Sequence, residues 1–516
     1  LGIDIGHIDL VICISSPKSV ARALQRIGRS GHKLHEVTKG RIIVQDRDDL
    51  VECAVILKSA IEKKIDKIHI PTKALDVLAQ QIFGLTTMGK TTLKEVYKLV
   101  TSAYPYKNLN YEKYLEVIKY LSGEYVTLED RYVYAKIWYD SEKKQIGKKG
   151  KLGRVIYMTN IGTIPAEGFI NVVIQNPNEK RGQSVGKIDE GFLEKMKPGD
   201  VFVLGGSKYQ FMYTKGMKAY VRGDVSRNPT IPSWFSEMLP LHFDLACDIG
   251  RFRRLVKEKL KDKKKCLKFI QDHLYCSNNI SNEIYDYFRE QSDFSEIPSD
   301  NMILVEKFKE EKEYLLFHTI YGRRVNDALS RAFAFGAARL RHRDIEIGIN
   351  DNGFYIAGEK LNEKKIMDFV KSDNLKKILR EAIEKTEVLR RRFRHCASRS
   401  LMILRSYKGR EKSVGKQQMH SGFLFNSIKK ISNEFPILRE ARREVMEDLM
   451  DVSSAEKVLK WIESGKVKIK VVRVPIVSPF GLTLLMQGRS DLIKMEERVK
   501  FLKRMHELHI QVISSE

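Results

Sequence analysis

The first 32 residues read LGIDIGHIDLVICISSPKSVARALQRIGRSGH, and the stretch from Asp9 to His32 decides the fold. Asp9, Leu10, Val11, Ile12, Cys13 and Ile14 form an almost wholly apolar run. Such a run predicts a strand buried on both faces, as in a parallel sheet. Pro17 opens a helical stretch through Arg26. Arg41–Gln45 repeats the buried strand and Asp46–Ile61 the helix. A β-α-β-α order with so few strands implies that the chain begins inside a doubly wound domain. At the end of the first helix Arg26 and Arg29 stand three apart, with Gly28 and Gly31 among them. Two guanidiniums so placed suit a polyphosphate and the charge that builds on a transferring phosphoryl group. A helix end with incidental arginines does not account for the Gly2, Asp4 and Gly6 block ahead of the strand.

Working outward, the 516 residues predict three or four domains. Lys plus Arg number 92 against 66 Asp plus Glu, a net charge of +26. An excess of that size points to a polyanionic partner, nucleic acid ahead of a membrane surface. No run of about 18 apolar residues is present, which excludes a transmembrane helix. Leu1–Gly6 shows no signal peptide. Six cysteines without a C-x-x-C pair exclude a disulfide scaffold and a zinc ribbon, and suit a reducing cytoplasm.

After Pro71, helical periodicity covers Leu75–Ile82, Thr92–Leu99 and Tyr111–Leu121. The aromatic and β-branched stretch Tyr125–Trp138 predicts a hairpin around Glu129–Asp130. Three helices and a hairpin outline a winged helix. From Arg154 to about Thr230, short β-rich runs with turn signals predict an antiparallel barrel or bent sheet. Helices dominate from Leu239, with a strand pair near Ile345–Ile356 around Asn352–Gly353. The expected fold is mixed α/β and α+β. Residues 1–70 form part of a parallel-sheet domain and 71–150 a winged helix. Residues 151–350 form a β-rich domain with helices, and 351–516 a mainly helical domain.

Three local patterns bear on chemistry. Gly84, Gly89, Lys90 and Thr91 match G-x-x-x-x-G-K-T, but a phosphate loop needs a buried strand feeding its glycines. Ala74–Phe83 has helical spacing instead, so the stretch reads as a turn with Thr91 capping the next helix. Between Thr386 and Lys416 there are ten Lys/Arg and two acids. Phe393, Ala397, Leu401 and Leu404 share one helical face, while Arg391, Arg394, His395, Arg399 and Arg405 spread over the other. That face reads as a phosphate-tracking surface, or else as a solvated face or an internal salt-bridge network with nearby acids. His273, Cys276 and Cys266 lack the fourth ligand that structural zinc needs. Trp234, one of three tryptophans, follows Pro232 and Ser233 and could stack on a base or sit in a core.

Leu1–Gly6, Ser16–Arg22 (SPKSVAR) and Gln25–His32 (QRIGRSGH) resemble motifs V and VI of superfamily 2 helicases, in the form of the archaeal large helicase-related family, Lhr. Asp76–Gln81, Tyr104–Tyr106, Lys197–Val203, Ile231–Trp234, Gly322–Asn326, Arg391–Lys408 and Pro479–Arg504 resemble it too. The resemblance implies a partial RecA-like domain at 1–70 of an ATP-dependent 3′-to-5′ helicase on DNA, RNA or hybrids, used in nucleic-acid repair or processing. It implies that Arg26 and Arg29 face ATP, with Gly2, Asp4 and Gln25 at the nucleotide. ATP and magnesium would be held mainly by a first RecA-like domain absent from these residues, so that this chain alone would not hydrolyse ATP. It further implies that Trp234 and, less directly, Ile164 touch the tracked strand. Two rivals stand beside this reading: a non-enzymatic nucleic-acid binding or annealing module, and a self-contained NTPase built on Lys90.

Overall fold

Polar caps set where the first helices of this computed structural model begin. The Ser19 side chain accepts from Arg22 N at the start of helix α1 (Val20–Ile27), and Asp46 from Asp49 N at the start of α2 (Arg47–Ile61). Strands β1 (Val11–Ile14) and β2 (Gly40–Ile43) precede them and pair in parallel, Val11 opposite Gly40 and Ile14 opposite Ile43. The expectation of burial on both faces is corrected here. Ile12, Ile14 and Ile43 are 57%, 69% and 53% exposed, because these two strands form a sheet of two among the described residues. The structure describes residues 8–30, 38–125, 128–129, 133–164, 169–175, 183–189, 199–204, 207–215, 218–223, 239–310, 312–341, 345–384, 386–407, 410–411, 414–488, 503–505 and 507–511.

Next come α3 (Leu75–Thr86), β3 (Thr91–Thr92), α4 (Leu93–Ser102), α5 (Tyr111–Ser122), β4 (Ile137–Asp140) and β5 (Gln145–Lys148). A capping box between Thr92 and Glu95 opens α4, so the cap lies one residue beyond Thr91. The hairpin is β4–β5, later than expected at Glu129–Asp130. Its turn is made by Asp140, whose Oδ1 accepts from Glu142 N and Lys143 N, both at 3.0 Å. With β3 it forms a three-stranded sheet ordered β3-β5-β4, the wing of a winged helix.

Helix α6 (Gly153–Asn160) leads into β6 (Phe169–Ile174), β7 (Gln183–Asp189), β8 (Val201–Leu204), β9 (Ser207–Lys215) and β10 (Lys218–Arg222). They form one sheet ordered β7-β6-β10-β9-β8, antiparallel except for the β6–β10 pair. Helices α7 (Phe243–Lys257), α8 (Lys263–Leu274) and α9 (Asn278–Phe294) follow, then β11 (Met302–Lys309), β12 (Glu313–His318), α10 (Arg323–Arg341), β13 (Glu346–Asn350) and β14 (Gly353–Gly358). The strand pair read around Asn352–Gly353 is the β13–β14 hairpin. The last elements are α11 (Glu387–Arg399), α12 (Val414–Ile431), α13 (Pro436–Arg443), α14 (Val452–Glu463), β15 (Lys468–Arg473) and α15 (Pro479–Gly488).

Two units emerge from this order, and neither is one continuous segment. The first joins residues 1–68, 236–382 and 450–516. Val51, Val55 and Ile56 of α2 pack with Ile249 and Phe252 of α7 and Phe288 of α9, which ties the N-terminal strands and helices to residues far along the chain. The same unit holds a sheet ordered β13-β14-β12-β11-β15. Every residue of β14 is buried. Phe354 stacks on Phe317 and meets Phe333 of α10, whereas Tyr355 and Ala357 join Leu484 and Leu485 of α15. Alternation along the strand thus buries both faces. The second unit joins residues 69–235 and 383–449. The expected boundary at 350/351 falls in the β13–β14 turn, and residues 351–516 divide between both units and contribute four strands among the described residues, two of them the short pair Ser406–Tyr407 and Arg410–Glu411.

Candidate functional site

Helix α1 ends where Gly28 N donates to Leu24 O at 2.8 Å; a Cβ on Gly28 would meet that oxygen at 2.8 Å. Ser30, fully buried, locks the turn: its Oγ donates to Ile27 O and accepts from Lys39 N. These bonds hold the helix end beside β2 and leave Gln25 and Arg29 exposed and Arg26 half-buried. No carboxylate among the described residues pairs with Arg26 or Arg29. The pair is therefore presented as two guanidiniums on a fixed turn. Gly2 and Asp4 lie outside the described residues.

The β1–α1 loop is pinned from below. Lys18 Nζ lies 2.9 Å from Glu52, 3.3 Å from Asp351 and 3.6 Å from Asp49. Burial works against the Lys18 charge, but Asp351, Glu52 and Asp49 outweigh it and hold its pKa above the ordinary lysine value. Ser15 and Ser16 donate to Asp49 and Glu52, and Ser19 Oγ donates to Asp66 at 2.8 Å. The SPKS segment thus works as an anchor for α1. Sequence reading placed the segment in a motif but did not show which partners hold it.

The Lys90 pattern lacks a phosphate loop's geometry. Gly84 lies within α3, and a Cβ there would stand 2.5 Å from the Tyr157 ring. A helix precedes Lys90 where a strand would be required.

The basic segment divides sharply once packed. Phe393 and Ala397 are buried, as the wheel predicts; the helix ends at Arg399 and Leu401 adopts φ +63°, so Leu401, buried, and Leu404, half-buried, lie beyond it and not on its face. Arg394 is only 6% exposed. Arg399 Nε donates to Asp76 Oδ2 at 2.6 Å, and its Nη2 bonds Glu444 and lies 3.4 Å from Cys396 Sγ. This guanidinium fills the one group of acids and thiols among the described residues spaced as a metal site, Asp76, Cys396 and Glu444. Arg405 Nη2 donates to the carbonyls of Asn160 and Ile161 at 2.9 and 3.0 Å. Arg399 and Arg405 are therefore engaged with protein groups, and Arg394 is inside. Arg391 is half-buried and Arg390 exposed.

Those inward bonds build a support for Ile164. Gln80 Nε2 donates to Gly162 O and Arg399 O, and Gly162 N donates to Gln80 Oε1. Asn160 Oδ1 accepts from Arg405 N and Ser406 N. On this clamped loop Ile164 is 83% exposed. Asp76 and Gln80, both buried, were quoted in sequence only as part of a motif. Their burial inside a polar motif is the signal that marks them as anchors. Trp234 lies outside the described residues. His273 stacks on Phe252 and Phe269, and Cys276 Sγ contacts Ile270 O.

Residues 58–230 match the family model "Large helicase-related protein, winged helix domain", and residues 297–481 match "DEAD/H associated". The chain is 49% identical over 99% of its length to the ATP-dependent helicase Lhr-Core of Methanothermobacter thermautotrophicus, covering 59% of that protein. It is 42% identical, again over 99% of its length and 59% of the relative, to the protein of the same name from Saccharolobus solfataricus. The chain thus spans less than two thirds of these relatives. Its fold matches the Mycobacterium smegmatis helicase Lhr, solved bound to ssDNA and AMP-PNP. The TM-score is 0.73 over 94% of this chain and 57% of that one, at 23% identity. Running through nearly all of its residues, these matches place the chain in the large helicase-related (Lhr) family.

Proposed function

We propose that this chain works as part of an ATP-dependent 3′-to-5′ helicase that moves along single-stranded or forked DNA, RNA or a DNA–RNA hybrid. The observation that carries the reading is the turn after α1, where Arg26 and Arg29 stand without carboxylate partners among the described residues, beside two parallel strands whose apolar face is exposed. An exposed apolar face on a parallel pair is what a doubly wound sheet shows where the elements that cover it lie elsewhere. Two guanidiniums suit the phosphates of ATP and cannot ligate magnesium. The metal and the phosphate loop therefore belong to a first RecA-like domain outside these residues, and the chain alone is inactive as an ATPase. ATP supplies the free energy of hydrolysis; Arg26 and Arg29 would stabilise charge on the transferring phosphoryl group, with Gly2, Asp4 and Gln25 near the nucleotide. Ile164 on its clamped loop, Trp234, Arg391 and the exposed Arg390 are assigned to the tracked strand. Arg394, Arg399 and Arg405 hold that surface in place. No helix among the described residues is long and apolar enough to cross a membrane. We place the protein in the cytoplasm, in repair or processing of nucleic acid.

The test is Arg29→Ala in the complete helicase. ATP hydrolysis should fall by about 10³ or more, the range for a lost phosphate-directed arginine, with nucleic-acid binding retained. Near-normal turnover in the mutant overturns the assignment of Arg29 to the phosphates, whereas nucleic-acid binding that persists without nucleotide, in the complete protein as in this chain, favours a non-enzymatic binding or annealing module.

A further inference from the structure

We propose that the outward face of the β7-β6-β10-β9-β8 sheet is a second contact surface for single-stranded nucleic acid. It centres on Tyr213 and Tyr220 and is flanked by Lys187, Lys218 and Arg222. The proposal rests on the nucleic-acid reading given above.

The sheet has one dry face, to which Ile170, Val172, Phe211, Ala219 and Val221 contribute. Alternation sends Lys218, Tyr220 and Arg222 of β10 to the opposite face. In β9 the register shifts between Tyr220 and Val221. Tyr220 lies opposite Tyr213 while Val221 lies opposite Phe211, so Met212 is the extra residue. This bulge turns Tyr213 outward beside Tyr220. Their rings stack with centroids 4.9 Å apart at 17°, and Tyr213 Oη donates to Gln175 Oε1 at 2.7 Å. Tyr213 is nonetheless 41% exposed. A hydrogen-bonded aromatic stack held open to solvent has ring surface to offer a planar ligand.

The charge around it selects the ligand. Lys187 lies opposite Asn171, and Asn171 opposite Lys218, which places the two lysines on alternate strands roughly 10 Å apart. Arg222 lies one step along β10 from the tyrosines. All three cations are exposed, and none pairs with a carboxylate among the described residues. Aromatic platforms within basic surroundings bind single strands by stacking and phosphate contact, with little sequence preference. Charge complementarity thus favours a single strand over an apolar protein segment.

The experiment uses the whole chain with fluorescent oligothymidylate and oligouridylate of equal length. The Tyr213→Ala/Tyr220→Ala variant should weaken binding about fivefold or more, and Tyr213→Phe/Tyr220→Phe should bind like the wild type. Lys187→Gln/Lys218→Gln/Arg222→Gln should lower the salt slope by about 0.7 per lost contact while melting normally. Losses on one oligomer alone assign the surface to DNA or to RNA; losses on both assign it to either strand. If the alanine variant melts early, the glutamine variant decides. Wild-type affinity and slope in the glutamine variant overturn the proposal. If the wild-type chain binds neither oligomer, the underlying nucleic-acid reading fails instead.

Discussion

Replacing Arg399 with alanine separates structural support from phosphate contact. Its side chain is 11% exposed and lies between Asp76, 1% exposed, and Glu444, 8% exposed. Removing it leaves Asp76 buried without a salt-bridge partner among the described residues, while Glu444 keeps Arg392 Nη1 at 3.8 Å. Breaking a buried pair from one side costs about 3–5 kcal/mol, because the remaining charge is uncompensated. The unit concerned has roughly 230 residues, so about 1 kcal/mol lowers its melting temperature by about 2–4 °C. The expected fall is therefore about 6–20 °C. Arg399→Lys should recover only part of it, since one ammonium cannot reproduce bonds from Nε and Nη2 to separate acids. Thermal melting, followed alongside the salt dependence of oligonucleotide binding, is the assay. A variant that melts within about 2 °C of the wild type but loses salt slope would refute the argument and make Arg399 a phosphate contact.

Lys90→Ala should leave ATP turnover of the complete helicase within about twofold, because the residue follows a helix and a turn far from any phosphate cradle; loss of ATP binding would restore a site there. Burial, with Arg394, Arg392, Arg399 and Arg391 nearby, pulls the His395 pKa from 6.5 to about 3. Between those values the unfolded chain takes up a proton that the folded chain refuses, so stability falls as pH drops, by about 2 kcal/mol from pH 7 to 5. Melts at the two pH values should show that loss, and His395→Gln should shrink it. Trp234→Ala should abolish most unwinding while ATP hydrolysis persists, since a base stack is worth about 1–3 kcal/mol and Trp234 follows Arg26 and Arg29 by roughly 200 residues in the sequence. Early melting with both activities lost would instead mark Trp234 as a core residue.

Local chemistry made much of this protein legible before any coordinates. Helical periodicity located α1, α2, α3, α4 and α5 to within a few residues, because the dry stripe of a helix is written in short windows. The Asn352–Gly353 hairpin was readable for the same reason, as was the helical context that disqualifies Lys90. Other features depend on partners distant in sequence. Strand β15 was missed, since it pairs with β11 across more than a hundred residues that the local pattern does not record; β11 and β12 were missed although their hairpin is local. The exposed faces of β1 and β2 were misread as buried, because an apolar strand looks the same whether or not a neighbour covers it. The arginines of the basic segment, Arg399 at the end of α11 and Arg405 beyond it, show the division most clearly. Composition revealed a basic helix, but only packing put Asp76 and Glu444 around Arg399 and the Asn160 and Ile161 carbonyls on Arg405. Charge is a property of the residue, whereas what neutralises it is set by which segments meet.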